Sequence, residues 1–570
     1  MSGEFIENLK GALLNTLSAD KVLRQSAEDA LQSYLGVPNA FTGFLHLACQ
    51  TQERSNAHLR MAALLALKNN VRHFWSTGTG SPSSQNPAPR WPMSQEEKEQ
   101  VKLTIVEATL AEMDKPVLRI LAEITRMIAE FEWPASWPGL IPTLVNNIQG
   151  QDPNRVHNSL LVIRRLAKRL EYKSPGPDRE PLHFLMAKSF PTIQQLIENL
   201  KPVLDREVAG ASCVHMALKI FYSCTMYKLP KEEAQLDFAY WTNCLGYFVD
   251  RPVPAPGSCP CPEPQEEPLR EKWPYWSIKK WATKIIVQMI QRYGNPKYVA
   301  EENIPFAKHF RAVTSVELLG PVMNTLATKS KGGYLTSIVT KNCLSYLNNS
   351  LEMAPTYKHI KPHIEFVLYH VIYPNLFLPP GDVELLEDDP IEFIRRVHSP
   401  SMEFIDVRTS TITLLESMVK FREKDCLSLM LSFVQSRLEE YAAATGQAKA
   451  ALHGHKDASL MTIGAIANTL IKSPQYKPTI EPFMVNHVLP DMQSPSTVVR
   501  YRCMWVIEWF VQLEWSQLSP STLQGLMEGI LTNFKHPSLA IQTAAAGALR
   551  VFISTFLPFL PCMVVPPTPQ

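Results

Sequence analysis

The sequence predicts an all-α protein built as a superhelix of antiparallel helical hairpins, and three observations carry that reading. Apolar residues recur at helical spacing from end to end, while alternating strand patterns are almost absent. Similar segments return near the C-terminus at intervals close to forty-odd residues. Prolines outnumber glycines, 46 to 23, in a chain of 570 residues, and many stand just outside apolar stretches. Lys201-Pro202, Leu229-Pro230 and Leu489-Pro490 are examples. In such places proline ends a helix or opens the next one.

The helical pattern begins early. Ala27, Ala30, Leu31, Tyr34 and Leu35 form one helix face, with Ser18 as the expected N-cap. Leu59, Ala62, Ala63, Ala66, Leu67 and Val71 form the stripe of a second helix, closed by Phe74 and Trp75. Val117, Leu121, Ile124, Ile128 and Phe131 form a third, and Ile141, Leu144 and Val145 open its partner. Near the other end, segments centred on Ile463, Ile507 and Leu549 stand 44 and 42 residues apart. That interval falls within the period of HEAT and armadillo repeats, so the fold class expected is a HEAT/armadillo-like α-α solenoid.

Three stretches interrupt the periodicity and read as loops between repeats. Residues 76–93 are rich in Gly, Ser and Pro. Residues 251–270 are Pro-rich and acidic at their end, and Pro379 to Pro390 is short and strongly acidic. The first two have compositions too poor in apolar residues to order themselves readily. Gln447 to His455 also reads as a loop, and residues 561–570 read as a flexible tail.

Composition narrows the function. Basic and acidic residues nearly cancel, 56 against 54, for a net charge of +2. That balance argues against a polybasic nucleic-acid binder. The ten cysteines are scattered, mostly in apolar helical runs, and read as buried thiols in a reducing compartment. Cys259-Pro-Cys261 lacks zinc-ligand spacing, and His453-Gly-His455 lacks further ligands, so no metal is expected. The N-terminus has no signal-peptide pattern, and no run of about 18 uncharged apolar residues suggests a membrane span. No phosphate-binding loop, nucleophile elbow, zinc-protease helix or C-x-x-C motif is present. Neither an enzyme nor a cofactor is expected. A solenoid offers a long surface suited to proteins as ligands.

Against that background several segments carry a family resemblance. Arg60-Met-Ala-Ala-Leu-Leu-Ala-Leu-Lys68-Asn69-Asn-Val71-Arg-His-Phe-Trp75 resembles the second repeat of the importin-β N-terminal domain. Leu23 to Leu31 resembles its first helix, and Phe131-Glu-Trp133-Pro134-Ala-Ser-Trp137-Pro138-Gly139-Leu140 resembles the superfamily's Trp-Pro turn. Further segments resemble the importin seven/eight-like branch. They are Glu171–Lys173 with Arg179–Leu182, Trp276–Ala282, Arg292–Pro296, Glu387–Arg395 and Lys456–Ala458. They run in order along almost the whole chain, whereas receptors of this branch are nearly twice as long. The resemblance is therefore to their N-terminal half.

The resemblance implies a nuclear import receptor that binds protein cargo, passes the nuclear pore and releases cargo when Ran-GTP binds. The implied partners are Ran-GTP, basic cargo such as ribosomal proteins or histones, and the FG repeats of nucleoporins. No membrane or direct nucleic-acid partner is implied, and the receptor would be a monomer shuttling between cytoplasm and nucleus through the nuclear envelope. The implied organisation is an N-terminal Ran-binding domain over residues 1–102 and HEAT repeats over 103–250. The loop 251–270 and central repeats over 271–560 follow. Arg60, Lys68 and Asn69 are the expected Ran contacts, followed by Glu130 and Glu132. Glu384, Glu387, Asp388 and Asp389 form an expected acidic loop for cargo or Ran, since clustered carboxylates steer basic proteins into encounter. The alternatives are a HEAT-repeat scaffold and an export receptor of the same superfamily. Trp133 and Trp137 read as packing residues, and Arg164, Arg165, Lys168 and Arg169 as an exposed basic helix face.

Overall fold

The computed structural model describes residues 3–49, 57–75, 93–174, 176–225, 227–230, 236–399, 406–510 and 518–556. All regular structure among them is helical. The expected loop 76–93 therefore lies outside the described residues except at Met93, and the expected tail 561–570 lies outside them entirely. No described helix is long and apolar enough to cross a membrane. The chain divides into two compact units, residues 1–241 with 253–281 and residues 242–252 with 282–570.

The first unit opens with α1 (Gly3–Asn15) against α2 (Lys21–Tyr34). The N-cap of α2 is Asp20, not Ser18: its carboxylate accepts from the backbone N–H groups of Val22 and Leu23. Ser18 instead accepts from the N–H of Asp20. A carboxylate at this position satisfies orphan donors and also faces the positive end of the helix dipole. The following hairpins are α3 (Ala40–Cys49) with α4 (Ala57–Trp75), and α5 (Gln95–Ala111) with α6 (Lys115–Glu132). Then come α7 (Leu140–Ile148) with α8 (Pro153–Leu170), and α9 (Glu180–Leu200) with α10 (Val208–Thr225). Ser94, Asp114 and Asp152 cap α5, α6 and α8, and proline stands in the first turn of α6 and α8. The second helices of these hairpins, α4, α6, α8 and α10, pack side by side as one layer. The expected boundary at 102/103 falls inside α5, because each hairpin buries its faces against the next and leaves no seam there.

Two more long helices, α11 (Phe238–Asp250) and α13 (Pro274–Tyr293), give residues to both units. Between them lies the Pro-rich stretch, which contains the single-turn α12 (Glu267–Arg270). It is not the free loop its composition suggests. The Trp273 indole donates to the Cys261 carbonyl at 3.2 Å, and the Trp276 indole donates to Glu263 at 2.5 Å. Arg270 closes on the same carboxylate at 2.5 Å. Two tryptophans thus supply the packing that the stretch itself lacks.

In the second unit the helices Ser337–Leu351, Val407–Ala443, His453–Ala465, Thr497–Trp509 and Leu539–Phe556 pack in succession. Val407–Ala443 kinks at Arg422 (φ −138°, ψ 29°), whose guanidinium donates to the Leu351 carbonyl. The acidic stretch after Pro379 is not a loop: it forms two helices, Pro380–Asp388 and Pro390–Val397. Leu386 and Phe393 are buried, and Phe393 meets Tyr501 edge to face at 5.3 Å. The apolar residues among the acids supply the anchoring that charge alone would not. Residues 447–455 are helical as well apart from the turn at Leu452, within Gly446–Ala451 and His453–Ala465.

Asp457 sits at the centre of this unit, fully buried. Its carboxylate accepts from Arg502 at 2.6 Å, from Arg408 at 2.7 Å and from the backbone N–H of Leu378 at 3.1 Å. Three neighbouring elements are thereby tied to one residue, and each buried charge has a partner, without which its burial would be very costly.

Candidate partner-binding surfaces

The residues expected to meet Ran separate into buried and accessible sets. Arg60, on α4, is only 4 % exposed. Its Nη2 pairs with Glu112 at 2.5 Å and its Nε donates to the Ala48 carbonyl at 2.8 Å. Glu112 also accepts from the N–H groups of Met113 and Asp114 in the turn between α5 and α6. Arg60 is therefore a buried link between α3, α4 and that turn, and its charge is not offered to a partner. Glu132 is buried too, accepting from the Trp75 indole at 2.8 Å and pairing with Lys102 at 3.4 Å. Lys102 Nζ also reaches the Ser136 carbonyl at 3.1 Å, while the tail of α5 is held by Asn158, which donates to the Thr109, Leu110 and Glu112 carbonyls. These polar groups knit α4, α5, α6 and α8 together.

Lys68 and Asn69 lie further along α4, half-buried and exposed respectively. A separation of eight residues carries a side chain about 80° past two full turns, so Lys68 does not share the inward direction of Arg60. Glu130 is exposed on α6, where Arg169 at 2.5 Å and Arg126 at 3.2 Å hold its carboxyl below the usual range. Trp137 is buried, and Trp133 packs on Phe184 with ring centres 6.0 Å apart. Glu384, Glu387, Asp388 and Asp389 are all exposed, at the end of the first insert helix and the cap of the second.

Two grooves were not expected from the sequence. In the first unit, α6, α8 and α10 enclose an open groove of about 420 Å³. Arg126, Arg164, Arg165, Lys168, Arg169 and Lys219 line it, with Glu123, Leu161 and Met216. The basic run on α8 was visible in the sequence, but its neighbours on α6 and α10 lie far from it in the chain. In the second unit, the outer helical segments hold an apolar groove of about 360 Å³, with Leu431, Val434, Leu438, Tyr476, Phe483 and Phe510 on its walls. Its signal in the sequence is an ordinary amphipathic stripe, indistinguishable from core. Among the described residues no cluster of three or more His, Cys, Asp or Glu has a metal-binding arrangement.

Residues 27–111 match the importin-beta N-terminal domain, and residues 283–549 match the Cse1 family. The chain is 28 % identical to human importin-8 over 96 % of this chain and 50 % of that protein. It is 25 % identical to the Arabidopsis thaliana importin beta-like SAD2 homolog over 93 % of this chain and 49 % of that one. It thus spans about half the length of these curated relatives. The exportin Cse1 in its cargo-free, cytoplasmic state superposes with a TM-score of 0.63 at 18 % identity, covering 97 % of this chain and 57 % of that one. Kap95p, solved with RanGDP, superposes with a TM-score of 0.54 at 18 % identity, covering 99 % of this chain and 58 % of that one. At those identities the two structures speak to the fold, a HEAT-repeat solenoid. With the N-terminal domain followed by the Cse1 region along this helical array, and the importin-8 likeness running through both, the chain belongs to the importin-β superfamily of karyopherins.

Proposed function

We propose that this chain serves a nuclear import receptor: it binds protein cargo, passes the nuclear pore and gives up its cargo when Ran-GTP binds its first repeats. The observation that carries this reading is the importin-beta N-terminal domain over residues 27–111, which falls on α2 to α5. The reading makes the chain a binding protein and not an enzyme, shuttling between cytoplasm and nucleus. Lys68 and Asn69 are the Ran contacts retained, with Glu130 at the edge of the same layer. Arg60 and Glu132 drop out because both are buried in the pairs described above. The exposed carboxylates Glu384, Glu387, Asp388 and Asp389 suit basic cargo or a basic face of Ran, and their charge would speed encounter. The apolar groove near Phe483 and Phe510 is of a size to take phenylalanine side chains of nucleoporin FG repeats.

Export is the second reading, favoured by the Cse1 match over 283–549 and by the likeness to importin and exportin alike. The sign of the Ran effect separates the two. Under import, Ran-GTP weakens cargo binding; under export, it strengthens it by the same coupling logic. The test titrates Ran loaded with GTP or GDP against the chain, then repeats it with Lys68→Glu. Ran-GTP should bind more tightly than Ran-GDP, and the variant should slow association. Equal affinity for both nucleotide states would end the transport reading.

A further inference from the structure

The groove between α6, α8 and α10 concentrates positive charge in a chain whose charges otherwise balance. Six cations line it, Arg126 from α6, Arg164, Arg165, Lys168 and Arg169 from α8, and Lys219 from α10, against one lining acid, Glu123. The acids within reach are already engaged. Glu123 holds Arg126 at 2.9 Å and also pairs with Arg165. Glu130 holds Arg126 and Arg169. Lys168 pairs with Glu171, whose own side chain is fully buried and also accepts from Ser223. The Nε–H groups of Arg164 and Arg165 have no hydrogen-bond partner. Those two groups are themselves buried; what stays open to solvent is an excess of cations over the acids that engage them, with Lys168 and Arg169 the most exposed.

Behind the groove, His215 on α10 reports the same field. Burial lowers its pKa first, and Lys219, Lys280, His157 and Arg164 push it down further, to about 3. Lys219, Lys280 and Arg164 thus set up a positive field in which an incoming anion is stabilised.

We propose that this groove binds an acidic peptide segment of a partner protein, laid in extended form along α8 with its carboxylates on Arg164, Arg165, Lys168 and Arg169. The spacing supports an extended peptide. Arg164/Arg165 and Lys168/Arg169 stand about one helical turn apart, roughly 6 Å. Alternate residues of an extended strand are spaced by nearly the same distance, roughly 6.6 Å. A peptide with acids at every second position therefore meets successive pairs of cations, and guanidinium forks favour carboxylates. The intervening side chains would face Leu161 and Met216 on the groove wall, which suits apolar residues between the acids. A nucleic acid fits less well, because the basic track spans only about one phosphate spacing and specific or cooperative binding needs many such contacts.

The test uses the full chain and a fluorescein-labelled decapeptide of alternating Glu and Leu, its Gln-for-Glu counterpart, and a single-stranded RNA of matched charge. The Glu peptide should bind in a salt-dependent way, and the Gln peptide at least tenfold more weakly. Arg164→Gln with Lys168→Gln should weaken the Glu peptide at least tenfold. Because Arg164 is half-buried and Lys168 is the cation paired with the buried Glu171, Arg169→Gln is made in parallel and should weaken the Glu peptide severalfold; Arg169 is 43 % exposed and its partner Glu130 lies at the surface, so the fold survives. Bound peptide should also raise the pKa of His215, read from its ring proton shifts. Equal binding of the Gln peptide, tighter binding of the RNA, or unchanged affinity in the Arg169→Gln variant would each overturn the proposal.

Discussion

The charges of α4, α5 and α6 and those of α8 belong to the same unit yet are put to opposite uses. Arg60, Lys102 and Glu132 are turned between layers, each held by buried protein partners. Arg165, Lys168 and Arg169 remain at the surface, and their acids only partly offset them. The difference teaches that residue type does not decide a charge's role in such an array. Position relative to the neighbouring hairpin does. A cation on the inward side of one helix becomes a cross-link, and a cation a quarter-turn away becomes part of a recognition surface.

Three substitutions bear on that contrast. The largest effect is expected from Arg60→Met, which strands Glu112 as a buried, uncompensated carboxylate. The first unit should lose about 3–5 kcal/mol, read as the free energy of the first unfolding transition in denaturant. Adding Glu112→Gln should restore part of it. A loss under about 1 kcal/mol would show that the pair is not a cross-link.

A smaller effect attaches to His215. Its folded-state pKa, about 3, lies below its ordinary value of 6.5. The unfolded chain therefore takes up the proton first, so the stability tied to the neutral ring is present above pH 6.5 and drains away as pH falls toward 3. Roughly 2 kcal/mol should be gone by pH 5. His215→Gln should flatten that part of the pH dependence, and parallel melting curves of the two proteins across this window would refute it. The smallest effect is expected from Arg169→Gln. Its partner Glu130 is solvent-accessible and Arg169 is 43 % exposed, so the stability change should stay within about 1 kcal/mol. A cost as large as that of Arg60→Met would erase the distinction between the two clusters.

Much of the architecture was legible because a helical hairpin writes itself locally. Period 3.6, proline in the first turn and acidic caps all lie within a few residues, and only details slipped, such as the cap at Asp20 in place of Ser18. What stayed hidden depends on distant partners. Arg60 resembled a surface cation because Glu112, which buries it, lies 52 residues on. The stretch 251–270 resembled a free loop between repeats because the indoles of Trp273 and Trp276 that hold it come after it. The acids at 384–389 resembled a loop because Leu386 and Phe393, which anchor the helices, are few among many charges. The basic groove was half visible: α8 showed its cations, but Arg126 and Lys219 join them only once the layer is assembled.

Asp457 gives the array a direction in time. Its partners Leu378 and Arg408 precede it, whereas Arg502 follows 45 residues later. During synthesis the ribosome needs roughly 2–9 s to add that length of chain. Through that interval the newest repeat holds a carboxylate with only part of its final shell, and its outer face has no neighbour. The growing end of the nascent chain is thus always its softest part, and each repeat is locked by the one made after it. A ribosome stalled between residues 457 and 502 would present that unfinished end to chaperones, while everything earlier could already be set.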